Sequence, residues 1–152
     1  MIRSVIAATV ILGGVTALLA QSDQITDRQA LMKSNAKNAK NVTQMVKGDQ
    51  PFDAAQAKAA FNTWHENAKK IPTLFTAPPP AGAETRALPK IWENKADFEA
   101  KAAALAKAAS EGKHSTLDEL KASFPNVQQA CANCHDNYRR PAPPGEGKDG
   151  KK

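Results

Sequence analysis

From Leu117 to Tyr138, apolar side chains and both cysteines of the chain recur at steps of three and four residues. The positions are Leu117, Leu120, Phe124, Val127, Cys131, Cys134 and Tyr138. This spacing is that of one face of an α-helix that packs against other helices. The cysteines share the apolar face, so we expect them to point into a helical bundle. Pro125 falls inside the pattern and predicts a kink or a break in the helix.

The two cysteines belong to a five-residue motif, Cys131-Ala-Asn-Cys134-His135. Positions i, i+3 and i+4 of a helix lie on one face, so two thiols and one imidazole project together. A C-x-x-C-H sequence is typical of the attachment site of c-type haem. The thiols would add to the haem vinyl groups, and the imidazole would become an axial ligand of the iron. We therefore predict one covalently bound haem c, attached through Cys131 and Cys134, with His135 as a metal ligand.

Three other roles for the cysteines agree less well with the sequence. A zinc site needs four ligands in a tetrahedral arrangement, and His65 or His114 would have to complete one here. A thioredoxin-like redox pair requires a βαβ context, and no convincing strand pattern is present. A disulfide between Cys131 and Cys134 would close so short a loop that it would gain little stability.

The N-terminal residues 1–20 have the pattern of a secretory signal peptide. Arg3 precedes an apolar run, Val5 to Ala20, that ends in small and aliphatic residues. The run has about 16 residues, fewer than the ~20 that usually span a bilayer. Cleavage near Ala20 is therefore expected in preference to a membrane anchor, which predicts a periplasmic location. Residues 21–140 would form one domain, and the Pro-, Gly- and Lys-rich residues 141–152 a disordered tail.

The charge of the chain is modestly basic. The sequence has 21 Lys and Arg against 15 Asp and Glu, so losing Arg3 with the signal peptide leaves 20 against 15, or +5. Such a field can steer an acidic redox partner. The lysines are scattered, with few aromatic residues among them, which argues against a nucleic-acid-binding protein. No catalytic base, nucleophile or substrate pocket is evident, so we expect a protein that is not an enzyme.

Three more segments show helical spacing. They span about residues 24–47, 53–70 and 89–111. Gly48 and Gly112 are the expected stops, Asp53 the expected N-cap of the second helix, and Ser115 or Thr116 that of the fourth. The connections 48–52 and 112–115 are short and join antiparallel neighbours, whereas 72–88 is long and rich in proline. The sequence therefore predicts an all-α, antiparallel four-helix bundle that encloses the haem.

Met32 is a candidate for the second axial ligand. In an up-down-up-down bundle, it lies about 12 Å from the start of the first helix, and His135 about 6 Å from the end of the fourth, at ~1.5 Å per residue. Both residues would then face the same zone of the bundle. Met32 also belongs to a stripe with a period of seven residues, so a flexible core filler is the other interpretation. Arg28, one turn earlier, is either solvated or close to the haem propionates.

Several segments resemble the class II cytochromes c, the cytochrome c′ family. They are residues 131–139 (CANCHDNYR), residues 28–32 (RQALM), the stretch 46–53 and residues 89–92 (PKIW). The resemblance covers essentially the whole chain after the signal peptide. It implies a four-helix bundle with one haem c and with His135 as the proximal ligand. It also implies that Arg28, Gln29, Thr85 and Arg86 lie beside the haem, and that a homodimer is one expected assembly.

The family that the chain resembles divides at the distal position of the haem. Members with methionine there are low-spin electron carriers, whereas members with leucine or a similar residue are five-coordinate and bind nitric oxide or carbon monoxide. Matching Arg28 and Gln29 to the family places Met32 at this position, and a shift of one residue would place Leu31 there. The resemblance thus implies a periplasmic electron carrier with His135 and Met32 on the iron. A gas-binding cytochrome c′ and a haem-free helical adaptor with a disulfide are the alternatives.

Overall fold

The computed structural model describes residues 14–142 of the chain, with side chains from residue 24 onward. Its helices are α1 (Gly14–Lys47), α2 (Ala54–Leu74), α3 (Lys90–Glu93), α4 (Lys95–Glu111) and α5 (Leu117–Tyr138). The described residues form no strand, and one isolated antiparallel bridge joins Ala87 and Arg139. The all-α prediction is confirmed. None of the described helices is long and apolar enough to cross a membrane.

The first helix starts earlier than the sequence pattern indicated. It begins at Gly14 and not at about Gln24, so it includes the last residues of the expected signal peptide. The remaining signal-peptide residues, 1–13, and residues 143–152 of the expected tail lie outside the described residues. The signal peptide, its cleavage near Ala20 and the disordered tail therefore stay predictions.

The core is built from the apolar stripes that the sequence shows. Buried residues are Ala57, Ala60, Phe61, Trp64, Ala68 and Ile71 on α2, Phe98, Ala102, Leu105 and Ala109 on α4, and Leu120, Phe124, Val127 and Tyr138 on α5. Aromatic rings fill its centre, because Trp64 packs edge-on against Phe61 at 5.1 Å and stacks on Phe124 at 5.7 Å between ring centroids. Such pairs add to the stabilisation that comes from apolar burial. The α2, α4 and α5 helices thus form a well-packed wall.

The α1 helix is rotated relative to the stripe with a period of seven residues. Its buried apolar residues are Leu31, Val42 and Met45, while Met32 and Ala39 are half-buried at the edge of the core. The side of α1 that faces α5 is more sparsely packed than the side that faces α2. This rotation leaves Met32 and Ala39 beside an internal space that the packed core does not fill.

The third predicted helix is divided into α3 and α4 at Asn94. Asn94 has φ −126° and ψ 52°, which lies outside the helical region. Within a helix, asparagine costs stability because its polar side chain favours non-helical conformations in which it bonds to nearby backbone groups. At a break in the helix this cost does not arise. The carbonyl of Asn94 accepts a hydrogen bond from the backbone of Phe98, and the hydroxyl oxygen of Tyr138 lies 3.5 Å from the same carbonyl. The end of α5 therefore lies directly against the break.

The prolines and caps follow simpler rules. Pro125 lies within a continuous α5, so the predicted break there is wrong; its side chain is exposed and needs no room in the core.

Asp53 caps α2 by accepting from the backbone N–H groups of Ala55 and Gln56, and Thr116 caps α5 by accepting from that of Glu119. Both predicted caps are confirmed.

The long connection between α2 and α3 is tied to the end of α5. The backbone N–H of Leu88 donates to the carbonyl of Tyr138 at 3.0 Å, and that of Arg140 donates to the carbonyl of Arg86 at 2.8 Å. The guanidinium of Arg86 returns two hydrogen bonds to the carbonyl of Arg140, at 3.0 and 2.8 Å. The last turn of α5 and residues 85–88 are thereby held side by side.

Candidate haem site

A cavity of about 290 Å³ lies among α1, α2, α4 and α5. Its wall includes four of the predicted site residues, Met32 from α1 and Cys131, Cys134 and His135 from α5. Most of the remaining wall is apolar, and ligand sites in proteins are commonly of this kind. Its other lining residues include Trp64, Ile71, Ala102, Leu105, Phe124 and Val127. The cavity thus occupies the space that the rotation of α1 leaves open.

The thiols of Cys131 and Cys134 face this cavity from one side of α5. Both cysteines are free and half-buried, and they pack against the apolar core. Burial raises the pKa of the Cys131 thiol, and it raises the pKa of Cys134 to about 11, which the charge of Lys101 partly offsets. The two groups are thus neutral thiols at neutral pH. In the described part of the chain, no three His, Cys, Asp or Glu side chains cluster as a metal site, which argues against the zinc alternative.

His135 presents a neutral imidazole to the same space. Burial, helped by the positive charges of Arg139 and Arg86, lowers its pKa to about 4. A neutral imidazole keeps a ring nitrogen with a free lone pair, and that form binds metals. The structure gives His135 no hydrogen bond to another described side chain, so its ring is available to a ligand.

Met32 lines the cavity from α1, whereas Leu31 does not. Leu31 is 8% exposed and belongs to the hydrophobic core, while Met32 lies half-buried at the core's edge. The alternative with Leu31 at the distal position therefore has no support from this arrangement. Met45, the other described methionine of α1, is 1% exposed in the core and is also absent from the cavity wall.

The other predicted haem neighbours do not line the cavity. Arg28 is 6% exposed, and its Nε and Nη2 donate to the carbonyls of Leu74 and Ala77 and to Gln24. Its guanidinium lies 4.4 Å from the centre of the Phe75 ring, and burial lowers its pKa. The Nη1 atom of Arg28 is buried without a hydrogen-bond partner among the described residues. A contact between Arg28 and a haem propionate stays a prediction, and this donor is the atom free to make it.

Thr85 and Arg86 belong to the long connection, and Gln29 contacts that connection from α1. Gln29 donates from Nε2 to the carbonyl of Glu84 at 3.3 Å, and the carbonyl of Thr85 accepts from Nη2 of Arg140 at 2.6 Å. Arg86 acts on the site through its charge, since it helps to depress the pKa of His135. The roles of these three residues beside the haem stay predictions.

Four polar residues of the cavity wall were missed as site residues by the sequence analysis. They are Asn35, Lys101, Gln128 and Arg139. Asn35 follows Met32 by one turn, Gln128 precedes Cys131 by one turn and Arg139 follows His135 by one turn, so helical spacing from the proposed site residues could have found all three. Lys101 has no such signal, because its place in the wall depends on how α4 packs against α5.

The donor set fits a covalently attached haem. Two thiols and a neutral imidazole project from one helix face into one cavity, a thioether lines the same cavity, and a buried guanidinium nitrogen has no partner. Residues 23–139 match the model of the family described as Cytochrome C′. The chain belongs to the cytochrome c′ family. Members of this family carry one covalently bound haem c per chain, so the predicted cofactor and four-helix architecture are confirmed.

Relatives in the family carry two kinds of name. The chain is 36% identical over 145 residues to a cytochrome c-556 of Rhodopseudomonas palustris, covering 91% of this chain and 97% of the relative. It is 40% identical over 136 residues to a cytochrome c′ of the same organism, covering 88% and 92%. The solved structure of cytochrome c′ from Rhodopseudomonas palustris superposes with a TM-score of 0.74 at 36% identity, covering 80% and 98%. The similarity therefore includes both cytochromes c-556 and cytochromes c′.

Proposed function

We propose that this chain is a periplasmic electron carrier in which His135 and Met32 hold the iron of the haem c. The observation that carries the proposal is the shared cavity: both cysteines of the C-x-x-C-H motif, His135 and Met32 line one space, and Leu31 does not. When bound, the haem supplies a one-electron couple, and His/Met ligation favours a raised reduction potential. We therefore assign Cys131 and Cys134 as cofactor-binding residues, and His135 and Met32 as metal-binding residues.

The chain's own residues would fix and insulate the cofactor. Cys131 and Cys134 would tether it to α5, and His135 would offer a lone pair that its low pKa keeps free. Trp64, Phe124 and their apolar neighbours would surround the haem with apolar side chains, which is one of the means by which a protein tunes a redox centre. Arg28 would pair its free Nη1 with a propionate.

The exposed surface of α1 suits an acidic redox partner. Lys33, Lys37 and Lys40 are exposed at helical spacing, and none of them forms an ion pair with any described residue. They lie on the helix that carries Met32 and beside Ala36 and Ala39, which line the cavity. A partner with carboxylates on its surface would be steered toward this part of α1.

The test of the proposal is the spectrum of the holoprotein with Met32→Ala. Wild-type protein is expected to be low-spin in both oxidation states and not to bind carbon monoxide, because the thioether occupies the sixth position. The Met32→Ala variant is expected to become high-spin and to bind the gas readily. Met45→Leu is the matched control, since Met45 is buried in the core of the same helix and should leave the spectrum unchanged. A low-spin Met32→Ala variant would reject the ligand assignment.

The second candidate is a five-coordinate, gas-binding cytochrome c′. The observation in its favour is the 40% identity to a relative that is named cytochrome c′. In that case the wild-type protein would already be high-spin and would bind carbon monoxide. The same optical spectra thus separate the two functions.

A further inference from the structure

Asn35 is a buried polar residue in the wall of the haem cavity. It is 9% exposed and lies one helical turn after Met32, on the same side of α1. The neighbouring wall residues Ala36 and Ala39 are small and apolar, so they need no polar partner. A wall that served only to exclude water would have no use for an amide at this position, because burying an unpaired polar group costs free energy.

The carbonyl groups of Asn35 are both held by α2. Its side-chain Oδ1 accepts a hydrogen bond from Nδ2 of Asn67 at 2.8 Å, and its backbone carbonyl accepts from Nε1 of Trp64 at 3.2 Å. Trp64 is itself fixed, since it is 1% exposed and stacks on Phe124. The hydrogen bond from Asn67 therefore orients the side-chain amide, and the one from Trp64 holds the backbone of α1 at this residue.

The amide nitrogen of Asn35 is left without a partner. Its Nδ2 donates to no described residue, although an amide nitrogen carries two hydrogens that can be donated. Asn67 on α2 holds the oxygen of the amide and Asn35 lines the cavity, so we infer that the nitrogen lies on the cavity side. The result is a preoriented hydrogen-bond donor beside Met32.

We propose that Asn35 is a hydrogen-bond donor to small anions that bind at the Met32 side of the cavity when the thioether is absent. The proposal rests on the proposed function only in placing Met32 at the distal position. Asn67 is then a positioning residue, because it holds the Oδ1 of Asn35 and so directs the nitrogen. Met32 would mask this capacity in the resting protein, and its displacement or substitution would reveal it.

The test is a fluoride titration of the ferric holoprotein, followed optically, in a Met32→Ala background. Fluoride is a strong hydrogen-bond acceptor, so adding Asn35→Leu is expected to raise its dissociation constant by about ten- to a hundredfold. Adding Asn67→Leu, which frees the amide to turn, should raise it by a smaller factor. Asn62→Leu is the control, because Asn62 is exposed on the same helix as Asn67 and should have no effect.

The affinity for carbon monoxide distinguishes the loss of a hydrogen bond from a change in the shape of the cavity. It accepts hydrogen bonds poorly, so its affinity for the ferrous Met32→Ala protein should change far less than the fluoride affinity when Asn35 is replaced. Asn35→Ala is the second variant, for the case in which leucine overfills the site. Fluoride constants that stay within about twofold in both variants would overturn the proposal. An equal loss of both ligands would also overturn it, since that would mark a structural role.

The two proposals can fail separately. The spectrum of the unliganded wild-type protein reports on Met32, whereas the ratio of fluoride constants reports on Asn35. If the wild-type protein is already high-spin, the same titrations in the wild-type background test Asn35 without the Met32 substitution.

Discussion

The phenolic hydroxyl of Tyr138 donates to the carboxylate of Asp97, which joins the last turn of α5 to the first turn of α4. Tyr138 is 3% exposed, and its ring packs edge-on against Phe98 at 5.3 Å between centroids. This hydrogen bond, with burial and the charge of Asp97 as smaller causes, raises the pKa of Tyr138 to about 12. The helix that carries the haem motif is thus anchored one turn beyond His135.

The first prediction concerns stability at alkaline pH. The phenol ionises near pH 10 in the unfolded chain but only near pH 12 in the folded protein, so the unfolded state binds fewer protons between these values. The contribution of Tyr138 is therefore complete below pH 10 and declines as the pH rises toward about 12. Tyr138→Phe should be less stable than wild type by about 1 kcal/mol at pH 8, and this difference should shrink above pH 10. Urea unfolding from pH 8 to 12 measures it, and a constant difference would contradict the assignment.

The second prediction concerns the tether. Replacing both Cys131 and Cys134 with serine should abolish covalent attachment, because both proposed thioether bonds would be lost. The intact mass of protein matured in a haem-attaching host should then equal that of the polypeptide alone. Ala132→Ser is the control, since Ala132 is exposed between the two cysteines and should leave attachment intact. Covalent haem in the double variant would disprove the motif assignment.

The third prediction concerns the contact of Gly112 with Phe61. A Cβ added at Gly112 would overlap Cε1 of Phe61, a ring that is 1% exposed and packs against Trp64 and His114. The ring cannot move away freely, so Gly112→Ala should destabilise the protein by about 1–3 kcal/mol. Thermal unfolding measures the loss. In a Phe61→Leu background the same substitution should cost less, and an equal cost in both backgrounds would exclude this contact as the cause.

The fourth prediction concerns the lysines of α1. Changing Lys33, Lys37 and Lys40 to glutamine should slow electron exchange with an acidic redox protein several-fold at low ionic strength. The effect should vanish in high salt, where charges are screened, and the reduction potential should stay nearly unchanged. Stopped-flow kinetics at two salt concentrations provide the measurement. The control sites are Lys69 on α2, which pairs with Glu66 of the same helix, and Lys107 on α4, which pairs with Glu111 of the same helix. An equal slowing when these two are changed would show that the partner does not bind specifically at α1.

The sequence predicted those features that depend on neighbours along the chain. Steps of three and four residues placed Cys131, Cys134 and His135 on one helix face. The start of α2 could be predicted from Asp53, because an N-cap side chain bonds only to backbone groups of the next turn. The family resemblance, together with helical spacing, placed Met32 at the distal position, and the structure does bring it to the same cavity as the motif.

Features that depend on distant residues were not predictable in the same way. The break at Asn94 lies against Tyr138, which is 44 residues away, so the local sequence pattern indicated one continuous helix. The donor role proposed for Asn35 depends on Asn67, which is 32 residues away on another helix. The rotation of α1 likewise follows from how its neighbours pack. A stripe with a period of seven residues does not determine which of its residues lies at the centre of the buried face.

The hydrogen bonds between Arg86 and the backbone of Arg140 join the long connection to the end of α5. The resistance of the connection to proteases should therefore depend on the end of α5. Residues 75–89 contain no helix, yet they are held at Arg28 near their start and along the end of α5 near their finish. Cleavage at residues 85–88 should therefore require that the final turn of α5 first come loose. Removal of residues after Tyr138 would open the segment to digestion, and the surroundings of His135 would loosen with it.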